Sequence, residues 1–229
     1  MTDWLVEEGS LDPELALVGS GGGTRFRGSA SPAAPPVLED NLAVFLRPLV
    51  VRETRKWFGE AEIRLDALVL HGGAETATLF HPRTFRFPRV ADGDDLADQE
   101  KGLMVYYGKP AHFLVLGLII ARDTRDSDDL AALLQASARS DDVSSLLTQL
   151  AAAASPHVAA VQAAMQAALV LGDVAYKLVR QVSPKVLGLY RANWLGGKDN
   201  FGVGRHPGQG VTRVKDFEFA YDVVVDRAP

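Results

Sequence analysis

Residues 60–70 read EAEIRLDALVL. Apolar and charged side chains alternate with a period of two, which is the signature of a half-buried strand. Ala61, Ile63, Leu65, Ala67 and Val69 form one face, and Glu60, Glu62, Arg64 and Asp66 form the other. A second stretch, DFEFAYDVVV at 216–225, repeats the pattern near the end of the chain. There Phe217, Phe219, Tyr221, Val223 and Val225 alternate with Glu218 and Asp222. Two amphipathic strands so far apart in sequence are expected to line one core.

Reading outward, Asn41–Glu53 is rich in β-formers, and Pro48 suggests an edge or a bulge. Thr76–His81 and Thr84–Val90 read as neighbours, with Phe85 and Phe87 to one side. His112–Ala121 is almost wholly apolar, which predicts a central strand covered on both faces. Three helices should follow. Asp126 or Ser127 can cap one through Leu130–Ala138, and Ser140 can cap one over Val143–Ala154. Ser155-Pro156 can start a third, running to about Val182 and stopped by Pro184. Val186–Trp194 returns to strand, and Lys198–Gly210 is a glycine-rich connection.

Strands, then helices, then strands imply an α+β chain. The expectation is an antiparallel β-sandwich over residues 41–229 with a helical subdomain inserted at 124–184. Residues 1–40 are expected to be a flexible leader, because GSGGGTRFRGSASPAAPP at 19–36 offers little apolar surface to offset ordering entropy. No repeat of roughly 20–50 residues is visible.

At 229 residues, 47% hydrophobic and 23% charged, the chain is of ordinary globular composition. Its net charge of −5 argues against a nucleic-acid partner. The absence of cysteine excludes disulfides, thiolate-bound metals and thiol catalysis. No basic, apolar leader opens the chain, and the longest apolar run, Phe113–Ala121, is short of the roughly 20 residues of a membrane helix. A cytoplasmic protein is expected.

Residues 198–206, KDNFGVGRH, sit between one strand and the last. This motif resembles the late loop of C2-type β-sandwich domains, where acids precede a hydrophobic-Gly turn. The resemblance covers the motif and the general strand spacing. It implies a sandwich, and in that family calcium held by loop aspartates for docking on acidic phospholipid. Asp199 matches the pattern, whereas Asn200 stands where a second acid is expected.

Asp92, Asp94 and Asp98 lie in an acid-rich stretch, and hard cations such as calcium take oxygen ligands. Joined by Asp199, they are the candidate metal ligands. The other reading is a solvated turn. His81-Pro82 and His206-Pro207 repeat a dipeptide that could bring two imidazoles together, or fix two turns. Arg83, Arg86 and Arg89 could bind an anion or pair with Glu60, Glu62 and Asp66. There is no G-x-S-x-G elbow, P-loop or dinucleotide fingerprint.

On the long helix Val158, Val161, Met165 and Leu169 recur at helical spacing opposite Gln162, Gln166, Asp173, Lys177 and Arg180. A binding or assembly module is therefore expected, without catalysis. Val161, Gln162, Met165, Gln166, Leu169 and Lys177 should meet a protein partner or a second copy. The alternatives are cation-assisted binding to an acidic membrane or a membrane-active effector, and a cryptic hydrolase. No cofactor is expected beyond the calcium of the first alternative.

Overall fold

The computed structural model describes residues 5–9, 40–72, 80–97, 100–123, 127–151 and 158–226. Two sheets and a helical layer stack in three tiers. The first sheet has the order β1-β7-β6-β3-β4, built from Leu5–Gly9 (β1), Val186–Leu195 (β7), Ala111–Arg122 (β6), Ala61–Gly72 (β3) and Phe80–Val90 (β4). The second has the order β5-β2-β10-β8, from Leu103–Gly108 (β5), Asn41–Val51 (β2), Phe217–Asp226 (β10) and Gly204–His206 (β8). Thr212–Val214 (β9) also pairs with β10. Pairing is antiparallel except between β1 and β7. Thus residues 5–9 of the stretch read as a leader run beside β7; residues 1–4 and 10–39 lie outside the described residues.

The two alternating stretches meet as expected. Ile63, Leu65, Ala67 and Val69 of β3 share one buried core with Phe217, Phe219, Tyr221 and Val223 of β10. Gly188 on β7 is required here, since a Cβ at that position would lie 2.1 Å from the Phe217 ring. The antiparallel sandwich with a helical insertion is what the chain forms, because the helices enter between β6 and β7. They are Leu130–Ser137 (α1), Asp141–Ala151 (α2) and Val158–Val182 (α3); a single turn, Gly196–Asp199 (α4), follows β7. The cap positions Asp126 and Ser155-Pro156 lie outside the described residues. Ser140 does not cap α2 through its side chain; its hydroxyl donates to the Ser137 carbonyl.

The insertion covers the other face of the first sheet. Ala164, Ala168, Leu171, Ala175 and Val179 of α3 pack with Leu134 of α1 and Leu150 of α2 on Leu68, Leu70, Val115 and Ile119. Small alanines let the helix lie close. By length and a mean hydropathy of 1.2, Ala159–Val182 is long and apolar enough to cross a membrane, although polar residues interrupt it too often for a continuous apolar run. Here its apolar stripe is spent on the sheet.

This covering overturns one expectation. By alternation Arg64 and Asp66 belong to a polar face of β3, yet both are 0% exposed beneath the insertion. Alternation shows which residues share a face and nothing about what covers it. The pair is tolerated because it is internally satisfied. Arg64 Nε and Nη2 donate to the two Asp66 oxygens at 2.7 Å each, and Arg64 Nη1 donates to Ser127 Oγ at 2.8 Å. Thr84 Oγ1 donates to Asp66 at 2.6 Å and accepts the Leu130 amide, at the start of α1, at 2.9 Å. Burial pushes the Asp66 carboxyl above its ordinary range, and the bonds from Arg64 and Thr84 offset part of that.

Removing one partner would strand the other's charge. Asp66→Ala should cost about 3–5 kcal/mol, whereas the double change Arg64→Met, Asp66→Leu should recover most of it. Urea unfolding of the three chains checks this.

Candidate functional site

Among the candidate metal ligands, Asp92 and Asp94 are not brought together with Asp199. Asp92 and Asp94 follow β4 at the end of the sheet where β3 begins, since Val90 pairs with Ala61. Asp199 follows β7 at the opposite end, where Leu195 pairs with Phe113 and Gly72 with Ala111. Asp98 lies outside the described residues. The other carboxylates brace backbone: Asp92 ties its turn to the β2–β3 connection, and Asp94 and Asp199 brace their own turns. Asp92 Oδ1 accepts the Thr54 amide at 2.7 Å and its hydroxyl at 2.8 Å, which holds the Asp92 carboxyl below its ordinary range. Asp94 accepts the Ala91 amide at 2.7 Å, and Asp199 the Leu195 amide at 2.9 Å. Among the described residues no group of three His, Asp or Glu side chains is placed to hold a metal ion.

The two His-Pro dipeptides lie at opposite edges of the sandwich. His206 on β8 stacks on Tyr221 at 4.9 Å and bonds the Gly202 carbonyl at 2.7 Å. His81 on β4 instead meets His71 on β3, with the two Nε2 atoms 3.0 Å apart. Their planes lie 18° from parallel with centroids 5.2 Å apart, so the rings meet edge to edge. His71 Nδ1 donates to the Gly72 carbonyl at 2.8 Å, which fixes its tautomer. Its Nε2 lone pair then accepts the His81 Nε2–H. Tyr106 of β5 packs its ring against both imidazoles, tying the second sheet to this edge. Its buried hydroxyl has no hydrogen-bond partner, and burial pushes its pKa up. His112, at the start of β6, is buried with Nδ1 unpartnered.

Of the expected partner-contact residues, Gln162, Gln166 and Lys177 are exposed and Leu169 is half-buried. Val161 and Met165 are buried in the core beneath the insertion. The apolar part of the expected contact is therefore mostly consumed within the chain.

Arginine ion pairs run along β10 and at the entry to the insertion. Arg47 pairs with Asp222 at 2.8 Å, Arg52 with Glu218 and Arg55 with Asp216, all on or beside β10. Arg86 holds Asp123 at 3.0 Å and Asp129, anchoring the entry to the insertion. Arg83 donates to the Met104 carbonyl at 3.3 Å.

What sequence reasoning missed is the turn between β2 and β3. Lys56 Nζ donates to the Glu60 carbonyl and closes it. Trp57 and Phe58 stand out from the turn, 89% and 81% exposed, with their rings 6.4 Å apart. Gly59, at φ +73°, permits the tight return. Beside them opens a cleft of about 500 Å³ lined by Lys56, Glu60, Glu62, Arg89, Arg122 and Asp123. Arg122 donates to the Arg55 carbonyl at 3.2 Å, and Arg89 ends β4 with φ +58°. A legible signal existed: two aromatics in RETRKWFGE, a short polar connection between strands, have no core to enter. No family model, curated protein or solved structure matches the chain.

The His71 pair makes a pH prediction. Burial is the main cause pushing His71 down to about 4 from 6.5, helped by His81 and opposed by the Gly72 carbonyl. The unfolded chain takes up that proton near the ordinary value and the folded chain only near the lower one. Stability should therefore fall as pH drops through this window, by about 3 kcal/mol. His71→Asn should flatten the slope of urea midpoint against pH between those limits.

Proposed function

We propose that this chain is a binding module that docks through the β2–β3 end of its sandwich. The observation that carries the reading is the adjacent pair Trp57 and Phe58, both more than four-fifths exposed. The other exposed large apolar side chains among the described residues are at most 46% exposed. Aromatic residues are the commonest anchors of binding surfaces, and single exposed aliphatics are ordinary. Neither ring contributes to the cores, so stability does not account for them.

The expected assembly face on α3 loses support because Val161 and Met165 lie in the core. Rings bridge the two sheets along the described edges, and the turn projects from the end of the sandwich.

A photoreactive phenylalanine analogue at position 58 tests this in the cells that make the protein. It should give adducts whose yield falls to background when unlabelled chain is in excess. The same analogue at Gln166 should give none that compete. Saturable adducts at 166 alone would return docking to the insertion.

A further inference from the structure

We propose that the cleft at the start of β3 binds a soluble phosphate monoester carried on a hydroxylated body, the chemistry of a sugar phosphate. The site is separate from the docking rings, since neither Trp57 nor Phe58 lines it.

The strands place its cations. β4 and β6 flank the start of β3, with Val90 paired to Ala61 and Arg122 to Ile63. Arg89 therefore stands to one side of β3 and Arg122 to the other, and Lys56 enters from the turn before it. Arg89 owes its position to a bulge. Between the Ala61–Val90 and Ile63–Phe87 pairs, β4 carries two residues against one on β3. Arg89 is the second of the two, with φ +58°. That left-handed conformation favours glycine, and a bulge re-aims the side chain it carries. The Arg89 guanidinium makes no hydrogen bond or ion pair among the described residues, so its N–H donors are presented to the cleft.

Charge selects the ligand group. Lys56 gives one N–H to the Glu60 carbonyl and Arg122 gives one to the Arg55 carbonyl, and their other donors stay available. Asp123 is held by Arg86, and Glu62 has an interaction of its own. Three cations then face one acid, Glu60. The surplus of about two positive charges matches a phosphate monoester at neutral pH, whose three free oxygens suit cations arriving from three segments. A carboxylate brings about half that charge on two oxygens in one plane. An acidic bilayer is opposed at long range by the net charge of −5.

The lining selects the body. About 500 Å³ is more than a bare phosphate fills and is within the range of small-ligand sites. Ala61 is the one apolar residue lining the cleft among the described residues, so hydroxyls fit there and an apolar body does not. Glu60, an acceptor, takes a hydroxyl donor.

The experiment is an NMR titration of the full chain with glucose 6-phosphate, inorganic phosphate and glucose, following the arginine Nε–Hε signals. Glucose 6-phosphate should bind one to one, inorganic phosphate about tenfold more weakly, and glucose not at all. Arg89→Gly should weaken glucose 6-phosphate about tenfold, the scale of a hydrogen bond to a charged group. It should also raise the urea midpoint, because glycine relieves the left-handed backbone. Glu60→Gln should tighten inorganic phosphate by removing a repulsion, and narrow its gap to glucose 6-phosphate. Trp57→Ala with Phe58→Ala should leave the affinity for glucose 6-phosphate unchanged, so this site and the docking end stand or fall separately.

Unshifted arginine signals at millimolar glucose 6-phosphate would overturn the site, and so would wild-type affinity in Arg89→Gly. Equal affinity for inorganic phosphate and glucose 6-phosphate would overturn the hydroxylated body. Binding to vesicles that contain phosphatidylinositol 4-phosphate, with none to glucose 6-phosphate, would overturn the soluble source.

Discussion

Arg64 and Asp66 lie at the join on which the three-tier architecture depends. β3 must serve two cores at once, with Ile63, Leu65, Ala67 and Val69 turned to the second sheet and Leu68 and Leu70 turned to the helices. At its start the helix-facing positions are ionic, and a buried guanidinium is tolerated only if its donors are used. Asp66 takes two of them and Ser127, at the entry to the insertion, takes a third. Thr84 extends the chain of bonds to the first turn of α1. The pair thus contributes less as net stability than as a fixed register between sheet and helices. An apolar replacement would pack as well but would leave the entry to α1 free to slide.

Much of this could be read from the chain because burial leaves a period. β3 and β10 show it at two, and α3 shows it at 3.6, with Pro184 as its stop. Three things could not be read, each for a physical reason. β5 is six residues long and half exposed, too short for an alternation to stand out. Arg64 and Asp66 look like any solvated charges, because the layer that hides them begins some sixty residues later. The separation of Asp92 from Asp199 is a matter of strand direction and register, so only the pairing of β6 with β7 decides it. The same limit applies to the histidines. His81 finds its partner one hairpin away, while the matching dipeptide lies across the sandwich.

The edges of the sandwich are closed by rings. On one side His71, His81 and Tyr106 bridge β3 and β4 to β5. On the other, Trp194, His206 and Tyr221 bridge β7 to β8 and β10, and Tyr190 shares a 2.9 Å hydroxyl contact with Tyr221. The exposed face of the second sheet is crossed by the Arg47–Asp222–Arg205 ion pairs. Charge, ring packing and the insertion therefore engage much of the two sheets within the chain itself.

The ends of the strands remain, and the two differ in chemistry. At the end of β7 the turn through Asn200 and Phe201 folds inward, and Phe201 is buried in the inter-sheet core. At the end of β2 the turn projects outward with two rings in solvent. A fold that can bury a phenylalanine from one loop does not leave a tryptophan and a phenylalanine on another for want of core. The difference lies in the turns: Lys56 bonds back to Glu60 and holds residues 57–59 away from the sandwich. That bond is made by a charged side chain to a backbone carbonyl on the exposed side of the turn. Holding the rings out is thus a property of the loop sequence, separable from everything that stabilises the two cores.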